Sequence, residues 1–236
     1  MLIEKDAEYE RYKRLRAVGK KLNSELAGSL QKRDINRCGK ELGLLKKNTL
    51  VFEDEDDVAV LMDYCINNPS GKKSCIDLYI EQSSLEPIPD EMMLLKALRE
   101  SFFSLFMVNR TEKGYLCHVV DILRRQDIRL MDLGLGSTAI PNTLVAARLM
   151  KMPASDYYMT TGASIGVREK QAIDVVEWVL SKFTQPIESG NLSRTQANSI
   201  GRQVTRALLR VKSKNMILGD PEAHEEALRS GSLKGL

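Results

Sequence analysis

Near Phe103 the hydrophobic period of the chain changes, and that change constrains the fold more than any other feature. Before it, apolar residues recur at helical spacing. After it, segments 103–110, 114–122, 127–133, 143–152 and 157–165 read as five short strands. Polar turns separate them: Thr111-Glu112-Lys113-Gly114, with Gly114 where a positive φ is needed, then Arg124-Arg125-Gln126-Asp127, Pro141-Asn142 and Ala154-Ser155-Asp156. Strands this short and evenly spaced predict a small five-stranded antiparallel β-barrel or curled sheet over residues 103–167.

The flanks are helical, so the expected class is α+β. In the N-terminal region, 1–102, Leu15, Val18, Leu22 and Leu26 share one face of a helix whose other face carries Lys13, Arg14, Lys20 and Lys21. Ile35, Cys38, Leu42 and Leu45 suggest a second, shorter helix weakened by Gly39 and Gly43. Residues 48–52 read as a short extended run or a helix lead-in. The acidic run 53–57 lacks the central glycine of a calcium loop. It reads instead as the N-terminal cap of a helix carrying Val58, Leu61, Met62 and Cys65 and stopping near Asn67-Asn68-Pro69. A short helix with Cys75, Leu78 and Tyr79 follows. Then comes a loop over 83–90, with Asp90 capping a helix that presents Met92, Leu95, Leu98 and Phe102. Two C-terminal helices are expected over 168–229, one with Ile173, Val176, Trp178 and Leu180. The other is capped by Ser193 and carries Ala197, Ile200, Val204, Leu208 and Val211. A tail occupies 230–236.

Hydrophobic residues make up 43% of the 236-residue chain, enough for a buried core. No apolar run approaches the roughly 20 residues of a membrane span. The N-terminus turns acidic at once, unlike a secretory signal. A cytosolic chain is expected, with Cys38, Cys65, Cys75 and Cys117 as free thiols. The cysteines form no CxxC pair, and His118 and His224 are the only imidazoles. Cys117 and His118 are neighbours on a strand, so they face opposite ways. No catalytic residue, metal or cofactor is therefore assigned.

Two segments invite a ligand. In Asp132-Leu133-Gly134-Leu135-Gly136-Ser137-Thr138-Ala139, the residues Gly134, Gly136 and Ala139 match the spacing of glycine-rich turns that approach a nucleotide. The string also looks like the first motif of S-adenosylmethionine-dependent methyltransferases. Pro141, however, falls where the required helix should run, and no further β–α–β units follow. A glycine-containing strand end or bulge is the competing reading.

The second segment is the last helix. Residues 189–219 hold six Lys or Arg and no Asp or Glu. Arg202, Arg206, Arg210 and Lys214 recur every fourth residue, opposite the apolar stripe, and repel one another. An external anion would relieve that repulsion: a nucleic-acid backbone, or an acidic protein surface. A solvated basic face is the plain alternative. No aromatic residues interleave with these arginines, which argues against stacking on single strands.

From about Tyr9 to Gly166 the chain resembles a group of bacterial proteins of no assigned function. The resemblance rests on Tyr12-Lys13-Arg14-Leu15-Arg16, Cys38-Gly39-Lys40-Glu41-Leu42-Gly43, Leu61-Met62-Asp63-Tyr64-Cys65, Met131-Asp132-Leu133-Gly134-Leu135 and Met159-Thr160-Thr161-Gly162. The β part looks like a small barrel found in proteins bearing the SEC-C zinc motif. The cysteine-rich motif itself is missing, so no zinc site is implied. The expectation is a non-enzymatic interaction or regulatory protein. The alternatives are an enzyme using the Gly134–Gly136 loop and a subunit whose helices at 9–26 or 168–183 pack into a larger assembly.

Overall fold

The computed structural model describes residues 2–69, 71, 73–82, 89–167, 170–190 and 192–219, with side chains described outside 2–6, 171, 194 and 212–219. Five strands close a barrel: β3 (Phe102–Glu112), β4 (Leu116–Asp121), β5 (Gln126–Met131), β6 (Leu144–Lys151) and β7 (Tyr158–Val167), in the order β3-β4-β5-β7-β6. The five segments read from the period are these five strands.

One detail differs from expectation. The barrel is mixed, because β5 and β7 pair in parallel through Leu130↔Tyr158 and Met131↔Met159, while its other strand pairs are antiparallel. Closure requires this. In a ring of alternating strand directions, an odd number of strands leaves one pair pointing the same way.

Alternation along each strand sorts side chains by face. Phe106, Val119, Ile128, Leu130, Val145 and Leu149 fill the barrel. Two buried polar pairs sit among them, and each is satisfied, as burial demands. Ser104 donates to Asp121 at 2.5 Å, and Thr160 donates to Asp132 at 2.5 Å.

The outer face is covered by helices. α1 (Leu2–Ser29) buries Tyr12, Leu15, Leu22 and Leu26 against Leu94, Leu95 and Leu98 of α5 (Pro89–Arg99), Ile76 of α4 (Cys75–Gln82) and the barrel's Met131, Met150 and Met159. Full burial of one such leucine contributes roughly 1.5–3 kcal/mol. α2 (Lys32–Leu42) ends at Gly43, which adopts φ 82° and caps the helix through backbone bonds to Gly39 and Lys40. Residues 45–50 then form the hairpin β1 (Leu45–Lys46) and β2 (Thr49–Leu50), turning on Lys47 and Asn48. α3 (Glu55–Asn67) begins as the acidic run implied: the Asp54 side chain accepts from the Asp57 amide.

α5 starts two residues earlier than a cap at Asp90 implies, at Pro89. Asp90 is therefore inside the first turn rather than capping it, and Phe102 already belongs to β3. Residues 83–88 of the expected loop lie outside the described residues. At the C-terminal end three helices appear where two were expected: α7 (Lys170–Ser181), the single turn α8 (Thr184–Glu188) and α9 (Arg194–Gly219). Ser193 caps α9 reciprocally. Its hydroxyl accepts from the Gln196 amide, and the Gln196 side chain accepts from Ser193. Among the described residues no helix is long and apolar enough to cross a membrane. The tail at 230–236 lies outside them.

Candidate functional site

α9 is wedged between two apolar clusters, which fixes the direction of everything else on it. Ile200, Val204 and Leu208 pack against Val176 and Val179 of α7 and Leu105 of the barrel. Leu209, on the adjoining flank, packs against Cys38, Leu42 and Leu61 of α2 and α3. Gly201 lets the helix approach Phe103: a Cβ there would stand 2.8 Å from the ring. The remaining face carries Arg202, Arg206 and Arg210, all exposed. Each is one helical turn, about 6 Å, from the next. None has an ion pair or hydrogen-bond partner among the described residues. Lys214 continues the spacing within α9, but its side chain is outside the described set.

The fold brings this stripe beside the C-terminal end of α2, a neighbour that sequence spacing could not reveal. A Cβ on Gly43 would lie 3.6 Å from Nε of Arg206 and 3.8 Å from Nε of Arg210. Two cations at a helix C-terminus meet a partial negative charge of roughly half a unit. Half a unit does not neutralise two guanidiniums, so the surface stays positive. The exposed Lys46 and Lys47 follow three and four residues after Gly43.

Arg202 lies nearest the network that joins α2 to α3. Tyr64 donates to Glu41 at 2.7 Å, Arg37 pairs with Glu41 at 2.8 Å, and Arg37 also donates to the Asn68 carbonyl at 2.5 Å. Burial pushes the Glu41 carboxyl up, but the Tyr64 hydroxyl, Arg37 and then Arg202 outweigh it and hold it below the usual glutamate range. The cavity under Arg202, between α3, α9, β6 and β7, has a volume of about 30 Å³. It takes a water or two and no substrate. The arrangement offers an exposed row of cations beside a cavity the size of a water or two.

The other site expected from sequence takes a different form. Asp132 ends β5 and caps α6 (Leu133–Thr138), its side chain accepting from the Leu135 amide at 3.0 Å. The glycines are thus in a short helix rather than a strand end, and the helix stops before Pro141. Gly136 is needed for packing, since a Cβ there would stand 2.5 Å from the Tyr115 Cα. A closed barrel, not a doubly wound sheet, surrounds the loop.

Cys117 faces the barrel interior, where burial pushes its thiol up to about 12. Burial of this kind disfavours the thiolate, the nucleophilic form. His118 faces outward beside Glu112, at 3.1 Å. His224 lies outside the described residues. Among the described residues no group of three or more His, Cys, Asp or Glu could hold a metal ion.

Against known sequences, the model of a family of unknown function, DUF7986, matches residues 6–199. The chain belongs to that family. The match spans α1 through the start of α9 and therefore all five barrel strands, while Arg202, Arg206 and Arg210 lie beyond it. No curated protein and no solved structure matches. The likeness of the β segment to SEC-C-bearing proteins is accordingly not among these findings.

Sequence reasoning found the arginine stripe from its four-residue spacing. It missed the pair of Asp63 with the buried Arg148, at 3.2 Å, and the cations of α1 that face β7. Asp63 and Arg148 are separated by 85 residues, and nothing local marks either as a partner.

Proposed function

We propose that this DUF7986 member is a non-enzymatic, cytosolic interaction protein that binds nucleic acid through the exposed face of α9, next to the end of α2. The observation that carries the reading is the row of Arg202, Arg206 and Arg210: three exposed guanidiniums one turn apart, none in an ion pair or hydrogen bond among the described residues. Guanidiniums bind phosphate oxygens in a fixed fork geometry, so a sugar–phosphate backbone is the polyanion they suit best. The lack of an aromatic residue in the stripe favours duplex backbone over stacked single strands. Lys214 would extend the stripe by one turn.

The test is fluorescence anisotropy with labelled single- and double-stranded DNA and RNA across a salt series. The comparison protein carries Arg202→Gln, Arg206→Gln and Arg210→Gln together. Binding should weaken linearly with log salt, with a slope near −0.9 per phosphate contacted on a duplex. The triple variant should lose affinity on the order of 100-fold at low salt and flatten the slope by about 3. Failure of the wild-type chain to bind any of the four at low salt overturns the proposal. The same surface would then be examined for an acidic protein partner.

A further inference from the structure

The cations of α1 fall into two groups. Arg11 pairs with Glu8, Lys13 with Glu10, Arg14 with Asp90, and Lys21 with Glu91 and Glu25, all at 2.6–3.8 Å. Arg16 and Lys20 have no carboxylate among the described residues. These two, one turn apart, both line a cleft between α1, α3 and β7 with a volume of about 310 Å³.

The cleft is built around a bulge. Between the pairs Ala147↔Ser164 and Leu149↔Thr160, Arg148 on β6 is opposed by three residues of β7: Thr161, Gly162 and Ala163. Bulges re-aim backbone groups away from the ladder. Here α1 captures two of them: Arg16 donates to the Thr160 carbonyl at 2.8 Å, and Asn23 to the Thr161 carbonyl at 2.6 Å. Gly162 adopts φ 146°, and a Cβ on it would stand 3.3 Å from the Asn23 amide nitrogen. The walls are thus pinned on both sides of an open space.

The geometry points to this cleft as a binding site for a small organic anion, with a carboxylate or phosphate head at Lys20 and Arg16 and an apolar body on Met62 and Ile66. The charge count supports an anion. The one carboxylate at the cleft is Asp63, and it is occupied by Arg148 at 3.2 Å and by the Thr161 hydroxyl at 2.6 Å, leaving that pair neutral. The two α1 cations remain uncompensated. Ala27, Ala59, Met62 and Ile66 supply the apolar lining. The volume falls at the lower end of the roughly 300–1,000 Å³ of small-molecule sites, which combine an apolar lining with a few placed polar groups.

The full chain is titrated calorimetrically with octanoate, octyl phosphate and inorganic phosphate. One octyl anion should bind at one site per chain, and which of the two binds more tightly identifies the head. Inorganic phosphate, lacking the body, should bind more weakly than octyl phosphate. Lys20→Glu should weaken the octyl anion by about tenfold or more, the worth of one charge-assisted hydrogen bond. Ala59→Phe, which fills the cleft from the α3 side without touching a cation, should abolish binding. The triple arginine variant of α9 should bind as the wild type does, which keeps this site separate from the nucleic-acid surface. Absence of saturable binding by both octyl anions overturns the inference. So does binding that survives both Lys20→Glu and Ala59→Phe, or that is lost in the α9 variant.

Discussion

Among the described residues α1 and α9 are the two long helices, and both bury an apolar stripe while presenting cations to solvent. They handle those cations differently. On α1, every described cation away from the β7 cleft meets a carboxylate, some on α1 itself and some on α5. On α9, the three exposed arginines make no ion pair among the described residues, Arg202 feels Glu41 only through its field, and the helix contains no acidic residue to supply a partner. A basic helix face is therefore not one kind of surface. Where the fold provides counter-charge, the cations serve docking; where it withholds it, they stay available to an outside anion. Arg16 and Lys20 are the places where α1 behaves like α9.

The comparison can be broken hardest at the most deeply matched cation. Arg148 is 6% exposed and relies on Asp63. Asp63→Ala would leave its guanidinium buried and uncompensated, and unfolding by urea should show a loss of about 3–5 kcal/mol. Replacing both partners with apolar residues of similar volume should recover much of that loss, since no charge is then left buried. The triple glutamine variant of α9 is the opposite case. It removes three exposed arginines that make no ion pair or hydrogen bond among the described residues, so stability should stay within about 0.5 kcal/mol even as nucleic-acid affinity collapses. A loss of several kcal/mol there would mean that Arg206 and Arg210 hold the end of α2.

A gentler change asks whether matching on α1 is energetic or incidental. Asp90→Asn with Glu91→Gln strips Arg14 and Lys21, whose side chains are 61% and 59% exposed, of their α5 partners. Exposed pairs contribute little, so the denaturation midpoint should shift only slightly, and less at high salt. If unmatched cations are what bind polyanions, the same variant should gain a little low-salt affinity for DNA.

How far the sequence revealed all this depends on the range of each interaction. The strands were legible because alternation and turn residues are local. So were the helix caps in the acidic run 53–57 and at Ser193, each closed within three residues. The parallel pairing of β5 with β7 was not, because strand order is decided by closure of the whole ring. Asp90 was misassigned as a cap because Pro89 can open a helix by itself. Its partner Arg14 is 76 residues away. The stripe on α9 was visible from spacing, but its placement beside Gly43 depends on the packing of Leu209 against α2. The cleft was out of reach altogether: Arg16 and Lys20 look like Lys13 and Lys21 until it is known which carboxylates lie opposite.

The smallest expected effect concerns Glu41, a carboxylate whose ionisation feels Arg202. It dilutes the positive surface at one end of the stripe, so Glu41→Gln should tighten nucleic-acid binding, by only a few-fold, as one screened charge would. Gln can still accept from Tyr64 and Arg37, so the α2–α3 junction should survive. The pH dependence gives an independent check. Because the folded carboxyl sits below its ordinary value of 4.5, its contribution to stability is present above that value. It is lost as pH falls through the folded value. Wild-type stability should therefore decline on acidification below about 4.5, and the decline should be shallower in Glu41→Gln. Tighter DNA binding with an unchanged acid limb would mean that Glu41 acts on the ligand alone. The reverse result, a flattened acid limb with unchanged binding, would place the bound polyanion farther along α9, at Arg206 and Arg210.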